Sequence, residues 1–180
     1  MTKLSGPQII SELREKLQFD IGRHLYGVLG NYAQLAQFEK TDLAQARDPH
    51  SNPFPEPVNL NRELLARIGD DDLRRLIQDE ARYPQAVQRQ LSQKFDQLLG
   101  DLLSAPASGL LALKQVELLF TYNLDLSFLR TRASNQNHIL LLLPGQRRSE
   151  QIIMFHETES RFHRTLPGNL IAENHLWELA

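Results

Sequence analysis

The apolar run at residues 138–143, HILLLL, constrains the fold of this chain more than any other stretch. Its five consecutive apolar residues end at Pro144-Gly145. The run is too short to cross a bilayer, and a short apolar run bounded by a turn signal is typical of a strand covered on both faces. Such strands occur mostly in sheets that helices flank on both sides. We therefore predict an α/β fold with a central buried sheet.

Two arginines, Arg147 and Arg148, follow the Pro144-Gly145 pair. Ligands of α/β sheets bind beyond the carboxyl ends of the strands, so the arginines are candidates for a phosphate or nucleic-acid site. The alternative is a plain β-turn with solvated arginines. We favour the turn, because Pro-Gly turns flanked by charge are common.

Composition places the chain among ordinary globular proteins. With 180 residues, 41% hydrophobic and 23% charged, residues 1–180 are expected to form a single α/β domain. A net charge of -2 argues against coating nucleic acid through bulk charge. The absence of cysteine excludes disulfides, thiolate metal sites and a cysteine nucleophile. The first residues lack the apolar core of a signal peptide, so we expect a cytoplasmic protein.

Periodicity predicts a helical first half and a strand-rich second half. Helices are expected at residues 7–18, 59–69, 70–83 and 84–103. Strands are expected near residues 25, 112, 140 and 153, with the last two paired as a hairpin. Residues 41–57 contain four prolines and are predicted to be an extended surface loop or a segment ordered by a partner.

No intact phosphate-binding loop is present. A P-loop needs G-x-x-x-x-G-K-[ST], and the nearest match has Gly22 and Gly27 but Val28 and Leu29 at the lysine and hydroxyl positions. Glu117 follows an apolar strand and is a weak candidate for a magnesium-binding acid. A solvated or capping glutamate is the favoured alternative, because Lys114 and Gln115 interrupt the strand.

Histidines near the end of the chain do not match a metal site. His156, Glu157, Glu159 and His163 cluster in sequence, but the two histidines are seven residues apart rather than four. Whether His156 and His163 converge is left open. His175 is expected to be a partly buried histidine with a local hydrogen bond. We predict no catalytic residue, no metal and no cofactor.

Arginines make the C-terminal part locally basic, with phenylalanines among them. The arginines are Arg130, Arg132, Arg147, Arg148, Arg161 and Arg164. A strand-rich surface of this composition can bind single-stranded nucleic acid. The favoured alternative is that the phenylalanines are core and the arginines solvated.

Three apolar motifs occur in an order that resembles a known family. They are "ELLF" at residues 117–120, "L-x-L-x-x-L" at residues 124–129, and the strand ending in "PG" at residues 139–145. Over residues 58–155 the chain resembles the small P-loop-like component of bacteriophage exclusion (BREX) defence systems. Its tail also resembles the small B component of those systems. P-loop members have an intact Gly-Lys-Ser/Thr loop before this region, which this chain lacks. The resemblance therefore implies a degenerate P-loop-like scaffold, with Glu117 as the counterpart of the acid-bearing strand.

These observations lead to one functional hypothesis and two alternatives. The hypothesis is a non-catalytic adaptor that docks onto a larger protein of an antiphage defence complex, such as an ATPase, a methyltransferase or a phosphatase-like protein. The apolar tail around Leu176 and Trp177 is the expected anchor. The alternatives are a nucleotide-binding protein or enzyme with an atypical phosphate loop, and a nucleic-acid module that uses the C-terminal arginines.

Overall fold

A parallel sheet lies at the centre of the chain, with helices on both faces. A computed structural model describes residues 3–104, 109–149 and 151–180, without the side chains of Asp70 and Asp71. The α/β fold predicted from the apolar runs is confirmed. The α-helices are α1 (Gly6–Lys16), α2 (Tyr32–Gln37), α3 (Leu60–Ile68), α4 (Asp70–Glu80), α5 (Pro84–Ser104), α6 (Glu117–Thr121) and α7 (Ser127–Arg132).

Seven strands form the sheet within the described residues. They are β1 (Leu25–Gly30), β2 (Val58–Asn59), β3 (Leu110–Lys114), β4 (His138–Arg148), β5 (Gln151–Met154), β6 (Arg164–Thr165) and β7 (Leu176–Glu178). The parallel part has the order β2-β3-β4-β1-β7. The far end of β4 pairs antiparallel with β5, and β5 with β6, which confirms the predicted hairpin.

The sheet is buried on both faces because its strands are apolar at successive positions. Ile139, Leu141 and Leu143 of β4 point into a core shared with α3–α7. Leu140 and Leu142 point into a second core shared with α1, α2 and the proline-rich segment. Each such leucine stabilises the fold by about 1.5–3 kcal/mol on burial, so the two cores fix the sheet between the helical layers.

The prediction of a turn at Pro144-Gly145 is wrong. Strand β4 continues through both residues to Arg148, and the chain reverses at Ser149, whose φ is 55°. Pro144 is accommodated because β3 has already ended, so no strand on that side requires its missing N–H. Gly145 is required because a Cβ there would lie 2.9 Å from Met154 Sδ and 3.0 Å from the Ile153 carbonyl oxygen.

The proline-rich segment at residues 41–57 packs against its own chain, instead of lying extended on the surface. A π-helix (Phe38–Leu43) continues directly from α2 into its first residues. Beyond it, the Asp48 carboxylate accepts hydrogen bonds from the backbone N–H groups of His50 and Asn52, both at 2.8 Å. Phe54 is buried in the second core. Contacts within the chain therefore order this segment.

The carboxyl ends of β1 and β4 mark a switch point of the sheet. The chain leaves β1 on the face of the second core, through α2. It leaves the β4–β5 hairpin on the opposite face, where Phe155, Leu166 and Leu170 join the first core. Crevices of α/β sheets open at such points.

Among the described residues, no helix combines the length and apolarity needed to cross a membrane.

Candidate functional site

Helix α2 begins immediately after β1, at the switch point. Asn31 follows the last residue of β1, and its Oδ1 accepts a hydrogen bond from the Gln34 N–H at 2.7 Å. In return, Gln34 Oε1 accepts from the Asn31 N–H at 2.9 Å. This capping box starts a helix that was not among those predicted from the sequence. The turn from strand to helix is too short to form a P-loop.

The first backbone donor of α2 is occupied by a carboxylate of the same chain. The Tyr32 N–H donates to Glu157 Oε2 at 2.8 Å. A free N–H at the start of a helix is where phosphate or carboxylate groups bind, since the helix dipole favours negative charge there. Glu157 therefore stands in the place of a bound anion.

Glu117 ties three elements together at the same edge of the sheet. Its Oε1 accepts from the Tyr32 hydroxyl at 3.0 Å, and its Oε2 accepts from Asn61 Nδ2 at 2.7 Å. Asn61 Oδ1 in turn accepts from the Leu118 N–H at 3.1 Å. Burial raises the pKa of Tyr32, and the carboxylates of Glu117 and Glu157 raise it further, so the phenol remains a donor. Glu117 thus has a structural anchoring role in this arrangement.

Strand β3 ends in a cation. Lys114 is its last residue, and Lys114 Nζ forms an ion pair and hydrogen bond with Glu39 Oε1. Magnesium-dependent NTPases carry an acid on a strand of their sheet, where it helps to hold the metal. Strand β3 has a lysine at its end instead, and this lysine is paired with a carboxylate. Glu117, the predicted acid, lies at the start of α6 rather than on the strand.

The edge is consequently closed by pairs of the chain's own groups. The helix N–H of Tyr32, both oxygens of Glu117 and the ammonium of Lys114 each have a partner. Within the described residues, no group of three or more histidine, aspartate or glutamate side chains could hold a metal ion. The arrangement can anchor helices to the sheet, and it offers no unoccupied cradle for a triphosphate.

The predicted arginines have different surroundings. Arg147 and Arg148 lie on the part of β4 beyond the parallel sheet, with Arg147 Nη1 3.8 Å from Glu173 Oε1 and Arg148 exposed. Arg132 is clamped by Asp96, with Nε 3.0 Å from Oδ1 and Nη2 3.1 Å from Oδ2. Of these arginines, Arg132 is therefore paired within the chain, whereas Arg130 and Arg147 each line a cavity that Glu173 also lines.

The expected anchor, Trp177, is part of the core. It lies in β7, pairs with β1, and is only 2% exposed. Its Nε1 donates to Glu12 Oε2 at 2.6 Å. The prediction of Trp177 as a docking residue is wrong, because the apolar tail completes the parallel sheet instead of projecting from it.

The two histidines of residues 156–163 have separate environments. His163 Nε2 lies 3.1 Å from the carbonyl oxygen of Thr158, within its own turn. His156 Nδ1 is buried without a hydrogen-bond partner in the described residues. Glu157, which lies between them in the sequence, accepts the hydrogen bond from the Tyr32 N–H of α2. This agrees with the favoured interpretation of a histidine-containing turn.

A buried cluster of His24, Tyr26 and His138 at the opposite end of β1 and β4 was not found from the sequence. The Tyr26 hydroxyl lies 3.2 Å from His24 Nδ1 and 3.3 Å from His138 Nδ1, and the two imidazole rings are 4.2 Å apart. A phenol hydroxyl donates one hydrogen bond and accepts another, so it can bridge two neutral imidazoles. Burial lowers the pKa of His138 to about 4, and the neighbouring His24 adds to this effect. The cluster is therefore uncharged at neutral pH.

Comparisons with known proteins found no match, so the function has to be inferred from the geometry of the chain. No protein-family model, curated protein or solved structure matches the chain.

Proposed function

We propose that this protein is a non-catalytic α/β adaptor of a bacterial antiphage defence complex, docking onto a larger protein such as an ATPase, a methyltransferase or a phosphatase-like protein. The scaffold is proposed to be a P-loop-like one that has lost its nucleotide site. The motifs at residues 117–120, 124–129 and 139–145, which resemble those of the BREX component, support the link to defence.

One observation carries the non-catalytic part of the proposal: Glu157 occupies the helix N–H of Tyr32 at the switch point. An incoming phosphate would have to displace a carboxylate that is held in the same molecule, at high effective concentration. It would also have to approach Glu117, which adds negative charge at this edge. Both effects oppose triphosphate binding, which weighs against the nucleotide-binding alternative.

An apolar groove supports the adaptor part of the proposal. A shallow apolar depression lies between α3, α4, α5 and α6. Leu65 and Ile77 line it and remain 40% and 60% exposed. The other lining residues are Leu64, Ile68, Leu73, Leu76, Val87, Leu91, Leu118 and Tyr122. Exposed apolar surface of this kind commonly marks protein–protein contacts.

Co-elution of the tagged chain with proteins encoded beside its gene tests the proposal. The wild-type chain should elute from a sizing column in fixed ratio with one larger neighbour-encoded protein. Ile77→Ser should weaken the complex by about tenfold, because a buried isoleucine contributes roughly 1.5–3 kcal/mol to an interface.

Ile21→Ser is the matched control. Ile21 is 91% exposed and lies between α1 and β1, away from the apolar groove. This variant should retain the complex. Failure of the wild-type chain to elute with any neighbour-encoded protein would contradict the adaptor role, and equal loss in both variants would contradict the groove as its surface.

A further inference from the structure

Two adjoining cavities form a groove on the side of the sheet that α3–α7 cover. One lies between α6–α7 and the residues around β6. The second continues toward the start of β1 and the residues before β7. Both are lined by Arg130, Asn169 and Leu170. We call this continuous surface the arginine groove.

Three arginines line the arginine groove without a carboxylate partner in the described part of the chain. Arg130 is half-buried, and its guanidinium has neither a hydrogen bond nor an ion pair there. Arg164 donates from Nη1 only to the carbonyl oxygens of Arg161 and His163. Arg23, at the far end, is exposed and makes only a backbone bridge to Ser134.

A second arginine of α7 is paired with a carboxylate, in contrast to Arg130. Arg132, two residues after Arg130 on the same helix, is held by both oxygens of Asp96. A half-buried guanidinium without a counter-charge has lost part of its hydration and gained no compensating interaction. An anionic ligand would supply the missing hydrogen bonds, since guanidinium binds carboxylate in a bidentate manner.

The floor of the arginine groove is apolar. Leu119, Leu124 and Leu170 are buried beneath it, together with Phe120. A concave apolar surface with a few polar groups at fixed places is typical of a ligand-binding site. The ligand is therefore expected to carry apolar groups next to its negative charge.

Negative charges in the groove select among anionic ligands. Asp125 lines one cavity and Glu173 the other, so acidic side chains share the groove with the three arginines. A nucleic acid carries a charge at every nucleotide and would meet both acids. Stacking of bases needs exposed aromatic rings, and Phe120 is only 7% exposed. A peptide with a few acidic residues fits this charge pattern better.

We propose that the arginine groove binds a peptide segment in which one or two acidic residues stand beside apolar ones, with Arg130 and Arg164 contacting the carboxylates. This inference goes beyond the adaptor role, since it concerns a different surface from the apolar groove. Binding at the apolar groove and binding at the arginine groove can be tested separately, because the two surfaces share no lining residue.

Selection from a library of short random peptides against the purified full chain tests the inference. Enriched peptides should carry Asp or Glu next to apolar residues, and fluorescence anisotropy should show binding that weakens as salt rises. Arg130→Gln should bind the enriched peptides about tenfold more weakly, and the double variant with Arg164→Gln more weakly still.

Arg89→Gln is the matched control, because Arg89 is an exposed arginine on α5 outside the groove. It should bind like wild type, and circular dichroism should show all variants folded. Absence of enrichment, enriched peptides without acidic residues, or equal binding by Arg130→Gln would overturn the proposal. Binding of single-stranded oligo-dT that Arg130→Gln abolishes would overturn it in favour of nucleic acid.

Discussion

Acidification should destabilise this protein through its buried histidines before its carboxylates titrate. His24 and His138 are each 4% exposed and lie on either side of the Tyr26 hydroxyl. The pKa of His138 falls from 6.5 to about 4 because burial disfavours its charged form, and burial also lowers the pKa of His24. The folded state therefore favours the neutral form of both imidazole rings.

The direction of this pH dependence follows from proton uptake by the unfolded chain. Below pH 6.5 the unfolded histidine binds a proton that the folded one refuses until about pH 4. The contribution of His138 to the free energy of unfolding is therefore fully present above pH 6.5, and it is lost as the pH falls from there to about 4. The free energy of unfolding should fall by about 2 kcal/mol between about pH 7.5 and pH 5 from His138 alone, and by about 3 kcal/mol when the titration is complete.

Urea unfolding followed by circular dichroism at several pH values measures this loss. His138→Gln replaces the imidazole with a group that keeps a donor and an acceptor but does not titrate. Its free energy of unfolding should be lower than wild type at about pH 7.5 but should change less between there and about pH 5. The same pH dependence in wild type and variant, or a wild-type stability that rises on acidification, would refute the assignment.

Three further substitutions test individual contacts through thermal or urea unfolding. Glu157→Gln removes the charge at the Tyr32 N–H and should cost about 0.3–1 kcal/mol, with an effect that shrinks at high salt; a salt-independent loss would argue against the helix dipole. Trp177→Phe keeps a buried ring but leaves Glu12 without its donor, and should cost about 1.5–3 kcal/mol; an unchanged midpoint would contradict this. Gly145→Ala should cost about 1–3 kcal/mol because its Cβ meets the paired strand, and a neutral result would show that β5 can move away.

The central strands were predictable because their signal is local. The apolar runs at residues 110–113 and 139–143 contain enough consecutive large side chains to require cover on both faces, whatever the rest of the chain does. The hairpin partner at residues 151–154 follows within a few residues and needs no long-range information. These features confirm the α/β fold.

Helix α2 was missed although its signal is present. Asn31 and Gln34 have the spacing of a capping box, but the strand before them ends in Gly30, which resembles the start of a loop. Pro144-Gly145 was misjudged for the converse reason. A turn signal of two residues was overridden by pairing with β1 on one side and β5 on the other.

The contacts that close the candidate site are long-range and leave no local pattern. Tyr32 and Glu157 are 125 positions apart, and Tyr32 and Glu117 are 85 apart. Their meeting depends on which strands are neighbours. Trp177 shows the same limit, since an apolar tail that completes a sheet and one that binds a partner have the same composition.

Calorimetric titration of the full chain with ATP and magnesium tests most directly whether the switch point is closed. Because the Tyr32 N–H is held by Glu157 and the Lys114 ammonium is paired with Glu39, we expect no binding heat at millimolar nucleotide. A saturable one-site isotherm with micromolar affinity, lost on substitution of residues at this edge, would show that the crevice accepts triphosphate and would contradict the adaptor proposal.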